Sequence, residues 1–102
     1  MKRPPIDYTP GRINGYWQRE GQELINIQLV TPEGQLLGVS RYRYDEQGQL
    51  QEASFARVGN YVGDAGWQLQ DLRITGFQPD GSSQISRQVQ LLWPVRLTPD
   101  VL

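Results

Sequence analysis

The side chains able to do acid–base or nucleophilic chemistry in this chain are few, and they lack their usual partners. There is no histidine and no cysteine, so the commonest general base, the commonest metal ligand and every thiolate mechanism are absent. Carboxylates pair in sequence at Glu20 with Glu23 and at Asp45 with Glu46, and stand singly at Asp64, Asp71 and Asp80. All but Asp71 fall in or beside turn sequences, where a solvated acid is the default. General acid work needs a carboxyl desolvated beside its partner. Ser40, Ser54, Ser82, Ser83 and Ser86 have no histidine to activate them, and the single lysine, Lys2, lies in an N-terminal tail. No Asp-x-Asp-x-Asp-Gly calcium loop and no glycine loop opening a helix occurs. The expectation is a protein that is not an enzyme, with no catalytic residue, no metal site and no cofactor.

Charge excludes a second class. Lys plus Arg number 10 against 11 Asp plus Glu, for a net charge of −1, so no global field draws the chain to nucleic acid. The arginines from Arg12 to Arg96 are scattered along the sequence. The aromatic residues carry more information. Trp17, Trp67 and Trp93, with Tyr16, Tyr42, Tyr44, Tyr61 and Phe55, could form a stacking platform for sugar rings, or could anchor the core and edges of a small β domain. A free-standing carbohydrate-binding β-sandwich module is therefore the alternative function. It requires one or more of Trp17, Trp67 and Trp93 to be exposed.

The elements that position these groups are strands. A chain of 102 residues is one domain. Turn signals recur at Glu20-Gly21, Pro32-Glu33-Gly34, Asp45-Glu46-Gln47-Gly48, Gly63-Asp64-Ala65-Gly66 and Pro79-Asp80-Gly81. Between them the residues are β-formers, placing strands near 13–19, 22–30, 36–44, 49–58, 67–77 and 83–97. Period-two alternation puts Ile25, Ile27 and Leu29 on one face. In the last strand it puts Ile85, Val89, Leu91, Trp93, Val95 and Leu97 in one inward phase, which Arg87 interrupts near a sheet end. In 67–77 the phase changes between Trp67/Leu69 and Leu72/Ile74, so a β-bulge is expected near Gln70-Asp71. Six antiparallel strands in sequence order, with at most a helical turn near Thr98-Pro99-Asp100, give an all-β fold with essentially no helix: an antiparallel β-sandwich or an open roll. No run approaches the ~20 apolar residues that span a bilayer. Met1-Lys2-Arg3 has the charge of a leader start, but Pro4-Pro5-Ile6-Asp7 follows where an apolar run belongs, so it is not expected to act as one.

An ordered set of short pieces is more specific than any one of them. These are Gly15-Tyr16-Trp17, Gly21-x-x-Leu24-Ile25-x-Ile27, Leu37-Gly38-Val39-Ser40-x-Tyr42, Gly66-Trp67-x-Leu69-x-Asp71 and the closing Trp93-Pro94-Val95-Arg96-Leu97-Thr98-Pro99-Asp100-Val101-Leu102. Over residues 13–102 this set resembles the periplasmic domain of the LptF/LptG permease family of the lipopolysaccharide export system. The Trp67 and Leu97-Thr98-Pro99-Asp100 pieces point to the LptG branch, and LptF, LptA and LptC share the architecture. Residues 1–12 match nothing in that family and are expected to form a disordered tail or one foreign to the domain. The resemblance implies an incomplete β-jelly roll on the periplasmic face of the bacterial inner membrane, joined to it by flanking helices outside this chain. It implies lipopolysaccharide as cargo, with LptF, the ATPase LptB and an LptC-like subunit as partners, and energy input elsewhere.

Residues facing the inside of such a roll are, from alternation, Ile25, Ile27, Val39, Phe55, Leu69, Leu91 and Val95. On the residues alone a closed core is the simpler reading. The resemblance implies instead a trough able to contact lipid, or a domain that scaffolds its partners. A trough is physically sound, since each buried methylene of an acyl chain gains ~0.8 kcal/mol.

Overall fold

A computed structural model of the chain describes residues 15–95. The expected tail at 1–12, Leu97 and the turn near Thr98-Pro99-Asp100 lie outside the described residues. Six strands form one antiparallel sheet in sequence order: β1 (Tyr16–Glu20), β2 (Glu23–Val30), β3 (Leu36–Tyr44), β4 (Leu50–Tyr61), β5 (Trp67–Phe77) and β6 (Ser83–Trp93). The one helical element among the described residues is a 3-10 turn at Gly63–Ala65. All-β and open, with β1 and β6 as unjoined edges, this is the architecture expected from the strand and turn pattern.

Three hairpins use the same turn. The amides of Gly34, Gly48 and Gly81 donate to the carbonyls of Thr31, Asp45 and Gln78 at 2.9, 3.0 and 3.0 Å, and Thr31, Asp45 and Gln78 in turn donate to Gln35, Gln49 and Ser82. Each glycine takes a positive φ of 83 to 93°, the left-handed position that closes a three-residue hairpin loop without a Cβ clash. Side chains reinforce all three, Thr31 Oγ1 accepting from the Gln35 amide at 3.0 Å in the first. Asp45 Oδ1 accepts from the amides of Gln47 and Gln49. Asp80 Oδ1 accepts from the hydroxyl and amide of Ser82 at 2.7 and 2.9 Å, and these bonds hold its carboxyl below the ordinary value of 3.8.

The sheet is creased along a line that crosses its strands. Gly38, Arg57, Asp71 and Val89 all drop out of ladders whose register is otherwise continuous: Val39↔Ala56 and Leu37↔Val58, then Ala56↔Leu72 and Val58↔Gln70, then Leu72↔Gln88 and Gln70↔Gln90. In β2, Gln28 drops out opposite Gly38. Gly38 has φ +71° and Asp71 has φ +57°, a left-handed conformation that aspartate tolerates better than most L-residues. The pleat skips one residue in each of β2 to β6 at once, while β1 stops short of the line. Gln28, Arg57, Asp71 and Val89 splay outward to solvent, and the buried phase moves by one: Ile27 to Val30, Ala56 to Gly59, and Leu72 to Leu69. The expected bulge at Gln70-Asp71 is therefore corrected. The phase change is there, but neighbouring strands break in step, so the register does not shift. The one register shift among the described residues falls between Arg43 and Tyr44.

The crease folds the sheet over its own apolar face. Extents of 44 × 41 × 24 Å are too deep for a flat sheet, whose packing layer is ~10 Å. Ile25, Ile27, Val30, Leu36, Val39, Ala56, Trp67, Leu69, Leu72, Trp93 and Val95 form one buried cluster drawn from both sides of the crease. The crease also corrects the reading of β6. Trp93 and Val95 are buried and Leu91 packs against the cluster, but Ile85 and Val89 are 64 % and 80 % exposed. Val89 sits on the crease, and beyond it the odd-numbered residues face away from the core. Arg87 is not near a sheet end; it lies within β6 opposite Arg73 of β5.

Candidate functional site

The inward face was the candidate site, and the structure brings six of its seven predicted residues together. Ile25, Ile27, Val39 and Leu69 are wholly buried and Val95 nearly so. Leu91 is half-buried on the rim of the same cluster, with Tyr16 and Ile74. Phe55 is the exception. Its neighbours Ser54 and Ala56 are buried, so alternation turns the ring to the opposite, convex face, beside Arg73 in the ladder. The core side chains pack on one another, so the face is closed at its centre and accessible at its rim.

At one end the closed face carries an ion pair that the sequence did not reveal. Arg41 shares the phase of Val39 in β3, and its guanidinium meets Glu23 of β2 at 2.9 Å, with the two side chains 13 % and 21 % exposed. Its central carbon lies 5.5 Å from the Trp93 ring centroid, within cation–π range. Since Trp93 comes from the far side of the crease, Arg41 clamps the two halves of the sheet. Its Nε is buried and makes no hydrogen bond to the described residues. The signal available in sequence was an arginine in the inward phase, three residues before the turn at Tyr44-Asp45.

Because this pair is only partly buried, its energetics should fall between the surface and interior limits. Glu23→Gln should cost about 1–3 kcal/mol, since it leaves the Arg41 charge half-desolvated and unmatched. The double variant Glu23→Leu with Arg41→Met should recover most of that loss, because no charge is then left behind. Urea unfolding of the two variants checks this; a double variant weaker than Glu23→Gln would show that the pair itself stabilises the fold.

The remaining acids are structural or solvated. Asp45 and Asp80 brace their turns, and Asp71 lies 3.5 Å from Arg57 in an exposed pair. Among the described residues no group of three or more acidic side chains could hold a metal ion, and no helix is long and apolar enough to cross a membrane. Of the tryptophans, Trp67 and Trp93 are core residues. Trp17 is 55 % exposed and stacks on Tyr42, with ring centroids 6.5 Å apart and planes 19° from parallel. The convex face thus keeps one tryptophan of the three that a sugar platform could have used.

No family model matches the chain. Two curated proteins do, each over 89 residues at 26% identity: the lipopolysaccharide export system permease protein LptG of Escherichia coli strain K12 and that of Escherichia coli O6:H1 strain CFT073. The match covers 86% of this chain and 25% of each relative, so the chain spans about a quarter of the length of the proteins it resembles. This distant similarity, over nearly the whole creased sheet, supports a relationship to the LptF/LptG permease family.

Proposed function

We propose that this chain is the periplasmic β domain of a permease subunit in a lipopolysaccharide export system, and that it helps pass lipopolysaccharide from the inner membrane toward the periplasmic bridge. The observation that carries the reading is the similarity to LptG over 86% of the chain. The fold agrees with it: a single open sheet folded over an apolar face suits a domain that meets acyl chains or neighbouring subunits.

In this reading the domain sits at the periplasmic face of the inner membrane, carried by a longer chain. It works with an LptF-type partner, an LptB-type ATPase and an LptC-type acceptor, and performs no chemistry of its own. Because Ile25, Ile27, Val39 and Leu69 are fully packed, an acyl chain meets the rim first, at Leu91, Ile74 and Tyr16. Contact with the inner residues requires the two halves of the sheet to part. If they do not part, the domain serves as a scaffold for its partners.

Photo-crosslinking in the intact transporter separates these roles. A probe at Leu91, on the rim, is expected to label lipopolysaccharide in an ATP-dependent way, while a probe at the outward-facing Gln90 is not. Labelling at neither site in an active transporter would remove this domain from the lipid path and leave the scaffold role.

A further inference from the structure

The convex face of the sheet carries a second, chemically different surface. Along one register row it presents Phe55 of β4, Arg73 of β5 and Arg87 of β6. Arg73 and Arg87 stand directly opposite each other, and like charges in that position oppose strand pairing. Among the described residues no carboxylate pairs with either; the ion pairs there are Arg41–Glu23, Arg43–Glu52 and Arg57–Asp71. Arg57 lies beside them on the crease, with Asp71 held at 3.5 Å in a pair that is 69 % and 59 % exposed. Together these residues and Val89 line a groove of about 530 Å³. Three guanidinium groups and one carboxylate give it an excess of two positive charges, in a chain whose net charge is −1.

The rim of this groove is apolar. Val89 is 80 % exposed and Ile85 64 % exposed, so two aliphatic side chains bracket Arg87 on an edge strand. Paired guanidinium groups match the oxygens of a phosphate. Exposed aliphatics next to them gain nothing from a free anion but are stabilised at the boundary between headgroups and acyl chains. We propose that this convex face is a membrane-docking surface: Arg73, Arg87 and Arg57 take the phosphates of anionic phospholipid headgroups while Ile85 and Val89 dip into the interface. The surface lies opposite the core and does not rest on the lipopolysaccharide reading. It would fix which way the domain faces when it stands at a bilayer.

Co-sedimentation of the 102-residue chain with vesicles tests this. Vesicles of phosphatidylglycerol in phosphatidylcholine should bind the chain at low salt, and phosphatidylcholine alone should not. Each arginine near the surface contributes roughly fivefold in partitioning, so Arg73→Gln with Arg87→Gln should weaken binding about 25-fold. Ile85→Ser with Val89→Ser should also weaken it, whereas Arg19→Gln, elsewhere on the convex face, should not. The arginine variants relieve a like-charge contact, so their urea midpoint should not fall below that of the parent chain. Equal binding to both vesicle types, or an equal loss in Arg19→Gln, would overturn the proposal. So would parent-chain binding indifferent to salt, a reading that needs no variant to fold. If inorganic phosphate raises the unfolding midpoint of the parent chain but not of the double arginine variant, and neither vesicle binds, the groove is a site for a soluble anion and the membrane proposal fails.

Discussion

Gly66→Ala is expected to remove a large share of the domain's stability. Gly66 sits at φ +104°, a conformation L-residues rarely adopt, in the loop that turns β4 into β5. Its amide donates to the Gly63 carbonyl and its carbonyl accepts from Val62, both at 2.9 Å. A Cβ built there would press on the carbonyl oxygen of Trp93, closer than real Cβ atoms approach, and would lie 2.9 Å from Pro94 Cα. Both obstacles are backbone, so neither can swing aside. Just beyond, Val95 donates to the Trp93 carbonyl at 2.9 Å, which ties the obstructing segment into its own tight turn. Strain of ~1–3 kcal/mol for the backbone, with a similar amount for overpacking, gives about 2–6 kcal/mol. A domain of this size holds roughly 5–15 kcal/mol in all. Gly63→Ala is the matched control, since Gly63 lies in the same loop at φ +74° with nothing near its missing Cβ. It should cost only about 1–2 kcal/mol, the left-handed backbone term alone. Urea midpoints of the two variants measure the difference; similar midpoints would mean that the Trp93–Pro94 segment moves freely against the loop.

Legibility in the sequence followed the strength of the local signals. The strands and hairpins were readable because Thr31-Pro-Glu-Gly34, Asp45-Glu-Gln-Gly48 and Gln78-Pro-Asp-Gly81 state the same turn three times. In β5 the crease was readable too, since Trp67, Leu69, Leu72 and Ile74 change phase around Asp71. It was invisible in β6. There Val89, an aliphatic residue placed on the crease, extends the odd-numbered apolar run and makes Ile85 look inward. In β4 the signal ran backwards: small Ser54 and Ala56 fill the tight inner curve, and the large Phe55 stands outside. Size and hydrophobicity predict burial only where the sheet leaves room for bulk. Arg41 is hidden for a related reason: nothing in the spacing explains a charge in the inward phase until its carboxylate and its aromatic partner are both seen. The arginine groove depends on cross-strand register, which sequence spacing alone does not supply.

Trp67→Ala should cost about 3–5 kcal/mol, the range for deleting a fully buried large aromatic. Trp67 is 0 % exposed. It faces Trp93 across the β5–β6 ladder and packs at a tilt against Tyr61, with centroids 5.1 Å apart and planes at 58°. Trp93 in turn lies under Arg41, so Trp67 supports the clamp between the two halves of the sheet as well as filling space. Trp17→Ala removes a ring of the same size from a position 55 % exposed and should cost under about 1.5 kcal/mol. The comparison by urea unfolding separates the amount of indole from its placement. The near-ultraviolet circular dichroism of the fold should collapse only for Trp67→Ala. A larger loss for Trp17→Ala would mean that the convex face, with its Trp17–Tyr42 stack, is the better packed of the two. Trp67→Phe is the more useful variant for function, because it should keep the domain folded while loosening the support beneath Trp93. If acyl chains enter by parting the halves, lipopolysaccharide labelling from the Leu91 probe should rise in Trp67→Phe. If the domain is a rigid scaffold, the loosened core should leave that labelling where it was.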